Sequence, residues 1–250
     1  MSYSSIFIVC LLSFIVSIFS VSVGGTSLIT VPALISFGMI SKNAVATNMV
    51  ALIFLSISGA LGFRRKIKIS HYKVIVLFSI LTICGSLIGA SFVLAIDKDI
   101  LKKVIGIIIF IIAGSVILKK DLGLQEKREN ISKIKFVSSA LLIFILGIYG
   151  GFFSGGYVTF LSYILIVTLN LNFLQVAYIT KIFNIFSSLV ASTFFYYHGL
   201  VDFSVAIPLG LSMALGATLG TRLAVLKGNL WIRNLFIIVI LLLAIKLLFF

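Results

Sequence analysis

Ten apolar segments take up most of this chain, at 6–23, 26–40, 44–63, 72–96, 100–118, 134–153, 157–172, 174–197, 203–226 and 231–249. No charged residue precedes Lys42. A hydrocarbon layer about 30 Å thick takes about 20 apolar residues per helical crossing. In that medium every backbone N–H and C=O needs a partner within the protein, so only helices and closed barrels span it. A barrel shows shorter segments of alternating polarity, whereas these are continuously apolar. Charged residues form 10% of the sequence, against about 25% in soluble domains, and the mean hydropathy is +1.30. The expectation is an all-α polytopic membrane protein.

The second half of the chain repeats the first. The stretch VSVGGTSLIT at 21–30 is answered 131 positions later by FFSGGYVTFLS at 152–162. Gly85-Ser-Leu-Ile-Gly89 corresponds to Gly216-Ala-Thr-Leu-Gly220, and Ile100-Leu-Lys-Lys103 to Trp231-Ile-Arg-Asn234. The polar stretch KKDLGLQEKRENISKIK separates the halves. This divides the chain into a first repeat at 1–118, a linker at 119–135 and a second repeat at 136–250. The second segment of each half, about 15 residues, reaches only about 22 Å as a helix, short of an easy crossing. Each glycine pair therefore joins the parts of a broken or re-entrant element. The count is eight to ten membrane segments, about four helices per repeat.

Loop charge sets the orientation. Residues 64–73 carry Arg64, Arg65, Lys66, Lys68 and Lys73 without an acid, and the linker adds six more basic residues. Both are expected in the cytoplasm. The equivalent of 64–73 in the second half, 198–204, has no Lys or Arg and contains Asp202, whereas 222–233 carries Arg222, Lys227 and Arg233. Equivalent loops thus fall on opposite sides. The two repeats are expected to be inverted, with both termini outside, in the plasma membrane of a prokaryote. The net charge of +14 serves this topology and does not mark a nucleic-acid binder. Cys10 and Cys84 are isolated and read as small core residues. The N-terminus reads as a first membrane segment and not as a removed signal.

The glycine hinges are the first candidate site. Irregular backbone persists inside a membrane where it lies against protein or a water-filled cavity. Gly24 and Gly25, and then Gly155 and Gly156, permit the break. Thr26 and Ser27, and Tyr157 and Thr159, place hydroxyls where the next helix begins. A half-helix N-terminus presents free N–H groups and positive partial charge, which suits an anion. The plain alternative is a kink for close helix packing. Lys181 is the second candidate, a charge about 12 Å into an apolar helix, expensive there unless it faces a cavity or a partner. Thr180, Asn184 and Ser188 continue a polar stripe beside it. Thr47-Asn48 matches Thr180-Lys181 with a two-residue shift. Lys181 is expected to supply charge, and Asn48 hydrogen bonds, to one central substrate site. The plain alternative is a lysine that snorkels to the nearer interface. The Gly85/Gly89 and Gly216/Gly220 patterns read as close-packing faces, and His71 and Asp202 as residues of loop–helix junctions.

Catalytic signatures are missing: there is no H-E-x-x-H, P-loop or G-x-S-x-G. None of Asp97, Asp99, Asp121, Glu126, Glu129 and Asp202 lies deep in an apolar segment, which disfavours an intramembrane di-aspartate protease and a carboxylate-lined metal transporter. No cofactor, metal or catalytic residue is expected.

At these residues the chain resembles the TauE/SafE family of sulfite-exporter-like membrane transporters, over nearly its full length. The likeness runs through Gly24-Gly25-Thr26-Ser27-Leu28-Ile29-Thr30-Val31-Pro32, Ala46-Thr47-Asn48 and Ser58-Gly59-Ala60 before Arg64-Arg65. It resumes with Gly147, Gly150, Gly151, Phe152, Phe153 and Gly155-Gly156, then Thr180-Lys181, Asn184 and Gly199-Leu200-Val201-Asp202. The glycine run is reduced to a pair in both halves, and Ser154 stands where the family commonly has glycine. The resemblance implies about eight helices arising by duplication and transport of small anions, particularly sulfur compounds such as sulfite or sulfonates. The expected function is secondary transport of such an anion by alternating access, with the bilayer, the substrate and a coupling ion as partners. The alternatives are an uncoupled anion facilitator, or a non-transport membrane subunit that binds lipid or a partner helix.

Overall fold

The computed structural model describes residues 1–64, 67, 72–92, 123–125 and 132–249, with side chains to residue 242. The segment expected at 100–118, most of the linker, His71 and the acids Asp97, Asp99, Asp121, Glu126 and Glu129 lie outside the described residues. Within them the chain is helical throughout: α1 Tyr3–Val23, α2 Ser27–Ser36, α3 Ser41–Arg64, α4 Tyr72–Phe92, α5 Lys133–Phe152, α6 Tyr157–Leu169, α7 Phe173–Tyr197 and α8 Phe203–Phe249. Six of these are long and apolar enough to cross a membrane. The protein is an all-α polytopic membrane protein.

Local chemistry fixes the boundaries. Ser2 caps α1 by accepting from the Ser5 N–H, and Ser132 caps α5 through the Lys135 N–H. Asn172 and Gln175 close a reciprocal capping box on α7, each side chain bonding the other's backbone N–H, which satisfies two donors that a helix start otherwise leaves orphaned. Helix α8 is broken at Gly228 (φ 77°, ψ −173°), where a change of segment is expected from sequence. Asn229 pins this break, accepting from the Leu174 N–H at 2.9 Å and donating to the Leu124 carbonyl at 3.0 Å. Helices α2 and α6 have 10 and 13 residues, too short to span at about 1.5 Å per residue.

Helix α1 shows how the bundle relates to its solvent. It buries Ser13, Ser17 and Ser20 and exposes Phe7, Leu11 and Ile15. A water-soluble helix does the reverse. The outward face suits lipid tails, and the buried hydroxyls give the interior its polarity.

Each half packs mainly against the other, and the contacts come in exchanged pairs. Helix α1 lies against the first arm of α8, and α5 lies against α4. A Cβ placed on Gly216 would lie 2.3 Å from the Phe14 carbonyl oxygen, and one on Gly220 2.1 Å from that of Ile18. On the equivalent pair, a Cβ on Gly85 would lie 2.5 Å from the Phe144 oxygen and one on Gly89 1.8 Å from that of Ile148. The same crossing is thus built twice, with glycine letting backbone meet backbone, as expected of small-residue faces in lipid. Helices α3 and α7 cross at the centre in opposite directions, with Ser56 beside Asn184 and Gly59 beside Lys181.

The Gly89 contact carries a direct prediction. Gly89→Leu places a side chain where a carbonyl oxygen already sits, so α4 and α5 must separate. Overpacking of this kind costs about 1–3 kcal/mol or more. Thermal unfolding of purified protein should show a clear loss of stability for Gly89→Leu and little change for Leu87→Met, on the exposed face of the same helix. Equal stabilities would overturn the packing role.

Candidate functional site

The two short helices begin at the centre of the bundle and meet there. Gly24 ends α1 with φ 89° and ψ −168°, a conformation open in practice to glycine alone. Its Cα packs against the first turn of α6, where a Cβ would lie 2.8 Å from Val158 Cβ and 3.0 Å from the Thr159 nitrogen. Gly155 is approached in turn by the Leu28 side chain of α2. Between them lies a small cavity, with about 10 Å³ for the centre of a water-sized sphere, lined by the buried residues Gly24, Gly25, Thr26, Ser27, Leu52, Leu55, Ser154, Val158, Lys181 and Asn184.

The hydroxyls expected to start the short helices bond elsewhere. Thr26 is in αR geometry and caps nothing with its side chain, and the residue at the N-cap of α6 is Gly156, left-handed at φ 82°. Thr26 Oγ1 instead pairs with Ser20 Oγ at 2.6 Å, and Ser27 Oγ with Ser154 Oγ at 2.5 Å. Thr159 Oγ1 donates to the Val23 carbonyl at 3.0 Å. The Tyr157 ring packs on Gly150, and its buried hydroxyl is turned toward Thr82 and Ser187. The consequence is electrostatic. With no side-chain cap, the N–H groups of Gly25, Thr26 and Ser27 donate to no protein acceptor among the described residues. Such a terminus keeps the positive partial charge of its helix.

Lys181 faces the same cavity. It is 1% exposed, and among the described residues it has no hydrogen-bond or ion-pair partner. Its stem lies over Gly59 of α3, where a Cβ would stand 3.1 Å from Lys181 Cγ. Asn184 lies one turn further along α7 and donates to Ser56 Oγ at 2.7 Å.

Asn48 is one layer back. Its Nδ2 donates to Ser27 Oγ at 2.8 Å, and its Oδ1 accepts from Thr30 Oγ1 at 2.6 Å, so it fixes Ser27 without lining the cavity. Gly155 is also behind the wall, its carbonyl accepting from the Tyr149 hydroxyl. Thr47 and Thr180 are not brought to the cavity: Thr47 Oγ1 accepts from the Asp202 N–H at 3.1 Å, and Thr180 Oγ1 donates to the Ala177 carbonyl at 3.2 Å. Several partners carried no signal as site residues in the sequence, namely Ser20, Leu52, Leu55, Ser56 and Val158. The sequence did mark Thr30, Ser154 and Gly59, though only as family positions. Among the described residues no group of His, Cys, Asp or Glu could hold a metal ion.

An apolar bundle with two half-length helices starting at its centre, around a buried lysine without a partner among the described residues, has the architecture of a membrane transporter. The chain belongs to the sulfite exporter TauE/SafE family, whose profile matches residues 9–247. It is 29% identical over 225 residues to a Haemophilus influenzae protein named "Probable membrane transporter protein", covering 90% of this chain and 87% of that one. It is 28% identical over 245 residues to the Escherichia coli K12 protein named "Probable membrane transporter protein YfcA", covering 97% and 88%. A Sinorhizobium protein named "Probable membrane transporter protein ORF9" is 28% identical over 225 residues, covering 90% and 85%. No solved structure matches the chain.

Proposed function

We propose that this protein carries a small sulfur-containing anion of the sulfite or sulfonate class across the plasma membrane of a prokaryote, by alternating access. The observation that carries the reading is Lys181: a buried amine with no counter-charge among the described residues, facing uncapped N–H groups at the start of α2. A bare charge in an apolar interior is costly, and an anion bound in the cavity supplies what the protein leaves out. Several donors converging from different directions suit an oxyanion. The family name supports sulfur chemistry.

The small size of the cavity supports a carrier over an open pore. It holds about one water molecule, so an anion enters only after the hinges open. The fold also supports inverted repeats. The end of α3 that leads to the basic loop at 64–73 lies beside Thr221, at the same end as the Gly228 break and the linker residue Leu124. The acidic junction at Asp202 lies beside Thr47, near the start of α3. Arg64 and the stretch Arg222–Lys227 thus lie toward one end, which by the positive-inside rule favours a cytoplasmic face there and both termini outside.

Reconstituted vesicles test the reading. Purified protein should mediate flux of labelled sulfite or a short sulfonate, with accumulation when a proton or sodium gradient is imposed. Downhill flux alone would make it a facilitator. The absence of flux for every sulfur oxyanion tested would overturn the proposal.

A further inference from the structure

A cleft of about 550 Å³ opens between the end of α3 and the first arm of α8, lined by Ser58, Leu61, Gly62, Thr218, Thr221 and Arg222 among others. Its hydroxyls already serve the fold. Ser58 Oγ donates to the Ala214 carbonyl at 2.8 Å, as does Thr218 Oγ1, and Thr221 Oγ1 donates to the Thr218 carbonyl at 3.0 Å. Arg222 is exposed, with neither an ion pair nor a hydrogen bond among the described residues. The cleft therefore presents one positive donor group over a partly apolar wall.

Behind that wall Val21 lies close both to Gly220, beside the cleft, and to Gly59, on which the Lys181 stem rests. Val21, in the last turn of α1, is fully buried at 0% exposure. A Cβ on Gly220, next to the cleft residue Thr221, would lie 2.7 Å from Val21 Cγ1. On the other side, a Cβ on Gly59 would lie 2.9 Å from Val21 Cγ2 and 3.1 Å from Lys181 Cγ. The order across the bundle is cleft, Gly220, Val21, Lys181. Val21 also stands three residues before Gly24, where α1 ends, so any rotation at the Gly24-Gly25 hinge displaces it.

We propose that this cleft is the entrance by which the anion reaches Lys181, with Arg222 drawing it to the mouth and Val21 as the gate. The inference rests on the anion-carrier reading and adds its route. A basic group at the mouth of a cleft with low-dielectric walls raises the local anion concentration. An apolar side chain at the narrowest point excludes water and ions until it moves.

Thiol labelling tests the route independently of transport. Val21→Cys is made in a Cys10→Ser/Cys84→Ser background, reconstituted in phosphatidylcholine vesicles and treated with sulfonatoethyl methanethiosulfonate or its trimethylammonium analogue. The introduced thiol should react, several-fold faster with the anionic reagent. Adding Arg222→Glu should remove that preference, and adding Thr218→Trp, which fills the cleft, should slow reaction at least about tenfold. Labelling that ignores both changes overturns the route. So does a lack of labelling while Leu226→Cys, at the exposed rim, reacts. If the Arg222 effect appears only when phosphatidylglycerol is added, Arg222 holds a lipid headgroup and the entrance assignment falls. Labelling that follows the expected pattern in a protein that moves no anion would overturn the transport reading and leave the route standing.

Discussion

Lys181→Met is expected to reduce anion transport at least about tenfold in kcat/KM while leaving the protein as stable as wild type or more so. The two effects have one cause. Met keeps most of the length and apolar stem of lysine, so the packing over Gly59 survives. What disappears is a buried charge with no partner among the described residues. Replacing an uncompensated buried charge with an apolar side chain of similar volume is neutral or stabilising. An anion in the cavity loses its charged donor, and hydrogen bonds to charged groups contribute about 1.5–3 kcal/mol, which is about 10- to 150-fold at 1.36 kcal/mol per decade. Lys181→Arg retains the charge but brings a wider, planar head into a space that holds about one water, so partial transport with a raised KM is expected. Vesicle uptake and thermal unfolding in detergent, measured on the same preparations, decide the matter. Undiminished transport in Lys181→Met would remove lysine from the site. A sharp drop in its melting temperature would make Lys181 a structural residue.

Much of this arrangement could be read from sequence because membrane segments obey few rules. Apolar runs mark the spans, and a lone charge inside one stands out, which is how Lys181 is found without a structure. The glycine pairs at 24–25 and 155–156 mark the hinges because they recur at matching places in the two halves, each just before a short apolar segment. Gly85/Gly89 and Gly216/Gly220 announce close crossings by their spacing. The partners across the bundle were harder to see. Thr47 and Thr180 adjoin Asn48 and Lys181 in sequence, but successive helical residues point about 100° apart, and both face away from the cavity. Ser20, Thr30 and Ser56 read as ordinary hydroxyls in an apolar helix. Only the folded bundle brings Ser20 to Thr26, Thr30 to Asn48 and Ser56 to Asn184.

The hydroxyls at the hinges show why the local rule fails there. A Ser or Thr before a helix ordinarily caps it. Here Ser27 pairs with Ser154 of the opposite half and also accepts from Asn48. Tertiary partners have taken the groups that a local reading assigns to the helix start. The uncapped N–H groups follow from that competition, and they turn a packing joint into a place that suits an anion. The duplication is legible in sequence. The meeting of the two hinges is a consequence of packing.

Gly24→Ala is expected to abolish transport and to destabilise the protein more than the same change at Gly199. Both glycines have positive φ, 89° and 66°, so both substitutions carry backbone strain, of order 1–3 kcal/mol for unfavoured regions. Their surroundings differ. A methyl group at Gly199 meets nothing within 4 Å, whereas at Gly24 it lies 2.8 Å from Val158 Cβ and 3.0 Å from the Thr159 nitrogen and hydroxyl. The Gly199 φ of 66° is also within the left-handed range that other residues visit, and the Gly24 pair (φ 89°, ψ −168°) is outside it. Relief at Gly24 requires the first turn of α6 to move away from the end of α1. That movement pulls Ser154 from Ser27 and Val23 from Thr159, bonds of 2.5 and 3.0 Å, and opens the cavity wall opposite Lys181. The melting temperature should therefore fall well below that of Gly199→Ala, with loss of sulfite flux in vesicles. Gly24→Ser, which strains the backbone equally, should not rescue it. Transport at the wild-type rate in Gly24→Ala would mean that the hinge is only a joint between packed helices, and that the anion site lies elsewhere along Lys181.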